Sequence, residues 1–141
     1  MAVTASATTR VPPGLWVFLG GCVGALTRAG LSAAVPDSTT GVPVTTLVIN
    51  LTGALILGWL LRTLALTGGD RGWHRALRLG VGTGVLGGYT TFSTFAVQTV
   101  ELARNDHLLA FAAYLALSLA GGFGAAWAGT TIARSTTRRH R

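Results

Sequence analysis

The sequence predicts an all-α membrane protein with four transmembrane helices, the third broken at mid-membrane. Three observations carry this. Half of the 141 residues are hydrophobic and only 11% are charged, less than half the roughly 25% of a soluble domain. The apolar residues gather into four runs, 14–34, 44–64, 76–100 and 108–133, each near or above the roughly 20 residues that cross a bilayer. The third run holds a polar, glycine-rich string at its centre, GVGTGVLGGYTTFSTF over residues 80–95. Mean hydropathy is +0.55, which suits one membrane domain.

Residues 1–13 are small and polar and end in two prolines, a flexible N-terminal tail. The first run, with Arg10 before it, has the outline of a signal peptide. Three further apolar runs and the packing glycines Gly20, Gly21 and Gly24 favour a helix that stays. The loop VPDSTTGVP then leads to the second run, RTLALTGGDRGWHR to the third and ELARND to the fourth. Pro36, Pro43 and the Gly68–Gly69 pair suit turns. Trp16, Trp59 and Trp73 fall near run ends, where indole prefers the membrane interface. Residues 14–133 form the four-helix transmembrane domain, and 134–141 a basic C-terminal tail. Small residues four apart, Gly20/Gly24, Gly84/Gly88 and Gly121/Ala125, allow close helix packing.

In lipid an unpaired backbone group costs several kcal/mol, so irregular backbone survives only against protein or a watery cavity. Broken helices at that depth commonly offer carbonyls or half-helix ends to an ion. The other reading of the 80–95 string is a tightly packed glycine helix whose hydroxyls bond their own backbone. Thr90, Thr91, Ser93 and Thr94 cluster beside Phe92 and Phe95, which favours the ion site.

Asp37, Asp70, Glu101 and Asp106 all fall in loops or at run ends. With no carboxylate at mid-membrane, proton-coupled transport and acid–base hydrolysis lack their usual relay. His74, His107 and His140 are peripheral and lack metal-ligand spacing. Cys22 is the single cysteine, so no internal disulfide exists. These absences argue against an enzyme. The net charge of +7 comes from arginines placed between apolar runs, which points to lipid headgroups and topology rather than nucleic acid.

The interior that remains is neutral and hydrogen-bonding. Asn50 either ties two helices together or offers N–H donors to a ligand. Tyr114 and Ser118 are four apart on one helix face. Phe92 and Phe95 are three apart, either plain core or ring edges that face an anion with their positive side. Donors, ring edges and no negative charge suit a small anion better than a cation. Arg28 adds one positive charge, either snorkelling to the interface or binding a loop carbonyl.

Residues 84–95, GVLGGYTTFSTF, resemble the signature of the CrcB/Fluc family of fluoride channels. Residues 24–28, GALTR, resemble that family's first-helix motif, and residues 46–53, TLVINLTG, its second-helix motif. The resemblance covers nearly the whole chain. It implies a fluoride-selective passive channel of the cell membrane that lowers cytoplasmic fluoride. It further implies an antiparallel dimer with two pores and a structural sodium ion, Na+, at the dimer centre. The sodium would be held by the backbone carbonyls of Gly87 and Thr90. The anion pore residues would be Asn50, Phe92, Phe95, Ser93, Thr94, Tyr114 and Ser118, with Arg28 structural. Tyr89 departs from the family by replacing an aliphatic residue, and Gly122 by lacking a hydroxyl that some members carry.

Two other classes fit the chain's size. Small four-helix multidrug exporters of dual topology depend on a first-helix glutamate, which is absent here. A non-transporting assembly subunit would pass no ion. The partners expected are fluoride, membrane lipid and a second subunit, either a copy of the chain or an oppositely oriented homologue. The arginines bear on that choice. With four spans, the termini and second loop share a side holding Arg10, Arg62, Arg71, Arg75, Arg78, Arg134, Arg138, Arg139 and Arg141, against Arg28 and Arg104 opposite. Such a bias places both termini in the cytoplasm.

Overall fold

Proline and glycine punctuate the chain where the helices start and stop. The computed structural model describes residues 12–68 and 70–138, which are helical with no strand among the described residues. Helix α1 spans Pro13–Ala34. Pro13 occupies its first position, where the missing N–H costs nothing and the fixed φ fits. The helix stops because Val35 precedes Pro36 and is pushed out of the helical region, to φ −131° and ψ 83°. Helix α2, Val44–Thr67, starts directly after Pro43 and stops at Gly68. Of the tail expected over 1–13, residues 1–11 lie outside the described residues, and Pro13 is already helical.

The third run folds as a helix of changing pitch. Helix α3, Gly72–Leu77, widens into π-helical turns over Arg78–Val85 and tightens again into α4, Leu86–Tyr89. Gly80 and Gly84 leave the wide turns bare where α1 approaches them, and Gly82 faces Leu57, Leu60 and Leu61 of α2. The chain is then extended at Thr90 (φ −76°, ψ 157°) and Thr91 (φ −143°, ψ 121°) before helix α5, Phe92–Arg104. The helical run is thus interrupted at Thr90 and Thr91, inside the 80–95 string. Asp106 turns the chain with φ 60°, a left-handed conformation that Asp tolerates. Helix α6 covers Leu108–Arg138.

Helix α6 outlasts its apolar run, which ends at residue 133. Ser135, Thr136 and Thr137 bond their hydroxyls back to the carbonyls of Ile132 and Ala133. Hydroxyls that bond back one turn are satisfied without water and can be carried within a continuing helix. The basic segment 134–141 is thus helical as far as Arg138.

Glycines decide which helices touch. A Cβ added at Gly24 would fall against the Val85 carbonyl oxygen and 2.7 Å from Tyr89 N. One at Gly84 would lie 2.9 Å from both Gly20 Cα and the Val17 oxygen. Hence α1 lies against residues 78–89, backbone on backbone. Gly58 and Gly129 bring α2 and α6 together in the same manner, against Ala126 and Leu55. Of the small residues read as packing sites, Gly20, Gly24, Gly84 and Gly88 meet neighbouring backbone and Gly121 meets the Leu51 side chain, whereas a Cβ at Gly21 would meet nothing within 4 Å.

Helices α1, α2 and α6 are each long and apolar enough to cross a membrane. The chain is a multi-pass membrane protein, and its surface fits that solvent. Phe18, Leu26, Phe123 and Trp127 are exposed, whereas among the described residues the buried apolar core is limited to Ile49, Leu60, Leu86, Leu102, Tyr114 and Ala133.

Candidate ion pathway at the helix break

Ending a helix between Tyr89 and Phe92 frees backbone groups that need partners. Neighbouring helices supply them. Thr90 closes α4 by donating both its N–H and its hydroxyl to the Leu86 carbonyl, at 3.0 and 2.9 Å. Arg28 on α1 donates from Nε to the Gly88 carbonyl at 3.1 Å, so the guanidinium binds the break instead of snorkelling. Asn50 on α2 clasps Thr91 twice. Its Nδ2 donates to the Thr91 carbonyl at 3.0 Å, and its Oδ1 accepts from Thr91 N–H at 2.8 Å. The amide thereby stands in for a backbone partner. Thr91 in turn caps α5, its Oγ1 accepting from Thr94 N–H at 3.1 Å.

The clasp has a consequence for Gly87. In an unbroken helix Thr91 N–H would bond the Gly87 carbonyl. Asn50 takes that proton instead, which leaves the Gly87 oxygen without a helical donor on an exposed turn. The Thr90 carbonyl also receives no hydrogen bond among the described residues. Such uncommitted carbonyls are the ligands a hard monovalent cation takes. Their chemistry fits sodium, and no cluster of three or more His, Cys, Asp or Glu side chains exists among the described residues to compete.

A cleft of about 690 Å³ opens beside the break. Asn50, Gly87, Thr90, Phe92, Phe95 and Ser118 are among its lining residues. Phe92 and Phe95 sit with ring centroids 6.0 Å apart and planes at 46°. Ser118 Oγ is buried and has no hydrogen-bond partner, an uncommon state for a buried hydroxyl. Asn50 retains a second N–H beyond the one given to Thr91. No carboxylate lines the cleft, and Arg78 is its one charged residue.

Three residues expected in the pore do not line this cleft. Thr94 accepts a hydrogen bond from Thr91 Oγ1 at 3.0 Å, and Ser93 Oγ lies 3.3 Å from the same atom, so both belong to the cap of α5. Tyr114 is fully buried; its ring meets Phe95 at 5.1 Å, and its hydroxyl donates to Gln98 Oε1 at 2.9 Å. The two hydroxyls read as one donor track therefore differ: that of Tyr114 is engaged, that of Ser118 free.

Gln98 and Asp37 escaped the sequence reading. Gln98 Nε2 donates to Asp37 Oδ2 at 3.0 Å, joining Tyr114 to the α1–α2 loop. Asp37 also accepts from Thr45 N–H at 2.6 Å, Thr46 N–H at 3.2 Å and the Thr46 hydroxyl at 2.7 Å. A carboxylate at a helix N-terminus satisfies free N–H groups and meets the positive end of the helix dipole. Pro43 at the cap position has no side-chain oxygen, so the distant Asp37 acts in its place. Burial pushes the Asp37 carboxyl up, but the bonds from Thr46, Gln98 and Thr45 outweigh it and hold the group below the usual carboxylate range. Gln98 carried a readable signal, a polar amide three residues after Phe95 on the same helix face.

The sequence profile of the family described as "CrcB-like protein, Camphor Resistance (CrcB)" matches residues 15–130. The chain belongs to the CrcB family. A fluoride-specific ion channel FluC 1 from Cutibacterium acnes is 47% identical over 111 residues, covering 79% of this chain and 78% of the relative. FluC 2 from Leifsonia xyli subsp. xyli is 48% identical over 118 residues, 84% and 81% of the two chains. FluC from Deinococcus radiodurans is 45% identical over 124 residues, 86% and 94%. The profile spans all four helical runs and the break, so the fold described here is the part shared with the family.

Proposed function

We propose that the chain is a passive fluoride channel of the cell membrane, built as an antiparallel dimer. The observation that carries this reading is Ser118: a buried hydroxyl with no partner, facing a cleft that also holds the Asn50 amide, two phenyl rings and no carboxylate. A small anion entering the cleft trades water for the Ser118 O–H, the spare Asn50 N–H and the electropositive edges of Phe92 and Phe95. Nothing in the lining repels it, and no group there takes up or releases a proton in a cycle. Passive conduction through weak, successive sites follows from such a lining. The names of the relatives support fluoride as the ion.

The break sits within the third span, so its depth is near the middle of the membrane. Phe92, on the cleft wall, is 81% exposed, and Gly87 and Thr83 are exposed on the same helix. A second subunit covers this surface. Residues Gly87 and Thr90 of each subunit hold a sodium ion through their carbonyls. Bound there, the ion supplies fixed positive charge between two subunits whose clefts are lined by no carboxylate.

The arginine asymmetry supports insertion with both termini in the cytoplasm. The antiparallel mate is then an oppositely biased homologue, or an inverted copy captured by pairing. A first-helix acid, on which the multidrug reading depends, is absent from α1. Purified protein in liposomes loaded with fluoride tests the function. Rapid electrode-detected efflux with a potassium ionophore present supports the channel. No efflux, alone or with a co-expressed homologue, would leave an assembly subunit as the better reading.

A further inference from the structure

The break is gripped residue by residue, and one grip belongs to a side chain that the pathway does not use. Arg28 holds Gly88 from α1, and Asn50 holds Thr91 from α2. Between these, Tyr89 reaches across to α2, its hydroxyl 3.0 Å from Thr52 Oγ1. The direction of this bond follows from a count of protons. Thr52 has one, directed to the Val48 carbonyl at 2.7 Å or the Ile49 carbonyl at 3.1 Å. Tyr89 is therefore the donor. The Tyr89 ring lies beside Gly53, where an added Cβ would stand 3.4 Å from Tyr89 Cδ1 and fall against Thr90 Cγ2.

We propose that the Tyr89–Thr52 hydrogen bond positions the Thr90 carbonyl and so sets the affinity of the break for its monovalent cation. This rests on the reading of Gly87 and Thr90 as cation ligands. Helix α4 is the terminal turn of this helix and follows the wide π-helical turns of Arg78–Val85, and a helix end frays unless outside partners hold it. The direction of the Thr90 carbonyl depends on the torsions on either side of it. After it, Asn50 fixes both backbone groups of Thr91. Before it, Arg28 fixes the backbone at Gly88, and Tyr89 is tied to α2 by its hydroxyl. Removal of that hydroxyl frees the end of α4 to swing about the Gly88 anchor, and the carbonyl loses its fixed aim. Tyr89 is a positioning residue, acting through Thr52, and touches no ion itself.

The test follows thermal unfolding of the purified full-length protein in detergent against sodium concentration, with N-methylglucamine holding ionic strength constant. Tyr89→Phe keeps the ring and removes only the donor. The sodium concentration for half-maximal stabilisation should rise roughly two- to tenfold, as the loss of one neutral hydrogen bond implies. Thr52→Val should give the same rise, and the double variant no further rise, since both remove one bond. An unchanged sodium midpoint in both single variants overturns the proposal. So does a uniform fall in unfolding temperature at every sodium concentration, which marks a merely structural bond. A parent protein indifferent to sodium overturns the cation site itself and the inference with it, a pattern distinct from a sodium-responsive parent whose variants keep its sodium midpoint.

Discussion

Replacing Asn50 by aspartate changes two things, and the magnitudes say which one dominates. The carboxylate can still accept from Thr91 N–H, the 2.8 Å bond, but cannot donate to the Thr91 carbonyl now served at 3.0 Å. Leaving that carbonyl unsatisfied costs about 1–3 kcal/mol. This is a fraction of the roughly 5–15 kcal/mol that holds a domain folded, so the variant should still assemble. The second change is the charge. An anion about 4 Å from the new carboxylate is opposed by about 4 kcal/mol at an effective dielectric near 20. Since each 1.4 kcal/mol is about tenfold, occupancy beside residue 50 should fall roughly a thousandfold. Fluoride efflux from liposomes containing Asn50→Asp should therefore drop to the leak rate, while size-exclusion elution and helical content match the parent. Efflux at the parent rate would refute the placement of Asn50 on the anion path and leave it a purely structural clasp.

Other residues give independent checks. Ser118→Ala removes a hydroxyl with no protein partner, so unfolding should shift by less than about 0.5 kcal/mol. Efflux should fall roughly 10- to 100-fold, the worth of a hydrogen bond to a charged group; an unchanged rate removes Ser118 from the path. Phe92→Ile and Phe95→Ile should each slow efflux with assembly intact, and normal transport by both would make the rings packing alone. Asp37→Ala strips α2 of its cap and should cost about 1–2 kcal/mol at neutral pH. The folded carboxyl lies below its ordinary value, so its contribution is present above the unfolded pKa and lost as pH falls through the folded one. The parent should thus lose stability in that acid window, and parallel curves for parent and variant would exclude the cap. Gly24→Ala drives a methyl into the backbone of Val85 and Tyr89, an overpacking worth about 1–3 kcal/mol or more. Gly87→Ala meets nothing within 4 Å in the subunit, so loss of expression in the second variant but not the first would invert the packing described here.

Much of this architecture was legible in the residues themselves. A chain that must satisfy its backbone inside lipid has to write each span as a long apolar run, and hydropathy is a local property that a linear reading recovers. Gly20, Gly24, Gly84 and Gly88 were legible for the same reason, because close approach along a helix recurs every four residues, whereas Gly58 and Gly129 were not singled out. The break showed itself through Thr90 and Thr91 within an apolar run. Tertiary structure decided what holds that break. Asn50 lies 41 residues from Thr91 and Arg28 lies 60 from Gly88, and nothing in either local pattern names its partner. Asp37 looked like a loop acid because the N–H groups it caps become unsatisfied only once Pro43 has started α2. Tyr114 and Ser118 share a helix face, yet one hydroxyl is engaged and the other free, because Gln98 on α5 reaches only the first. Periodicity assigns a residue to a face, but the free hydroxyl, the open Gly87 carbonyl and the cleft between them exist only where separate helices meet.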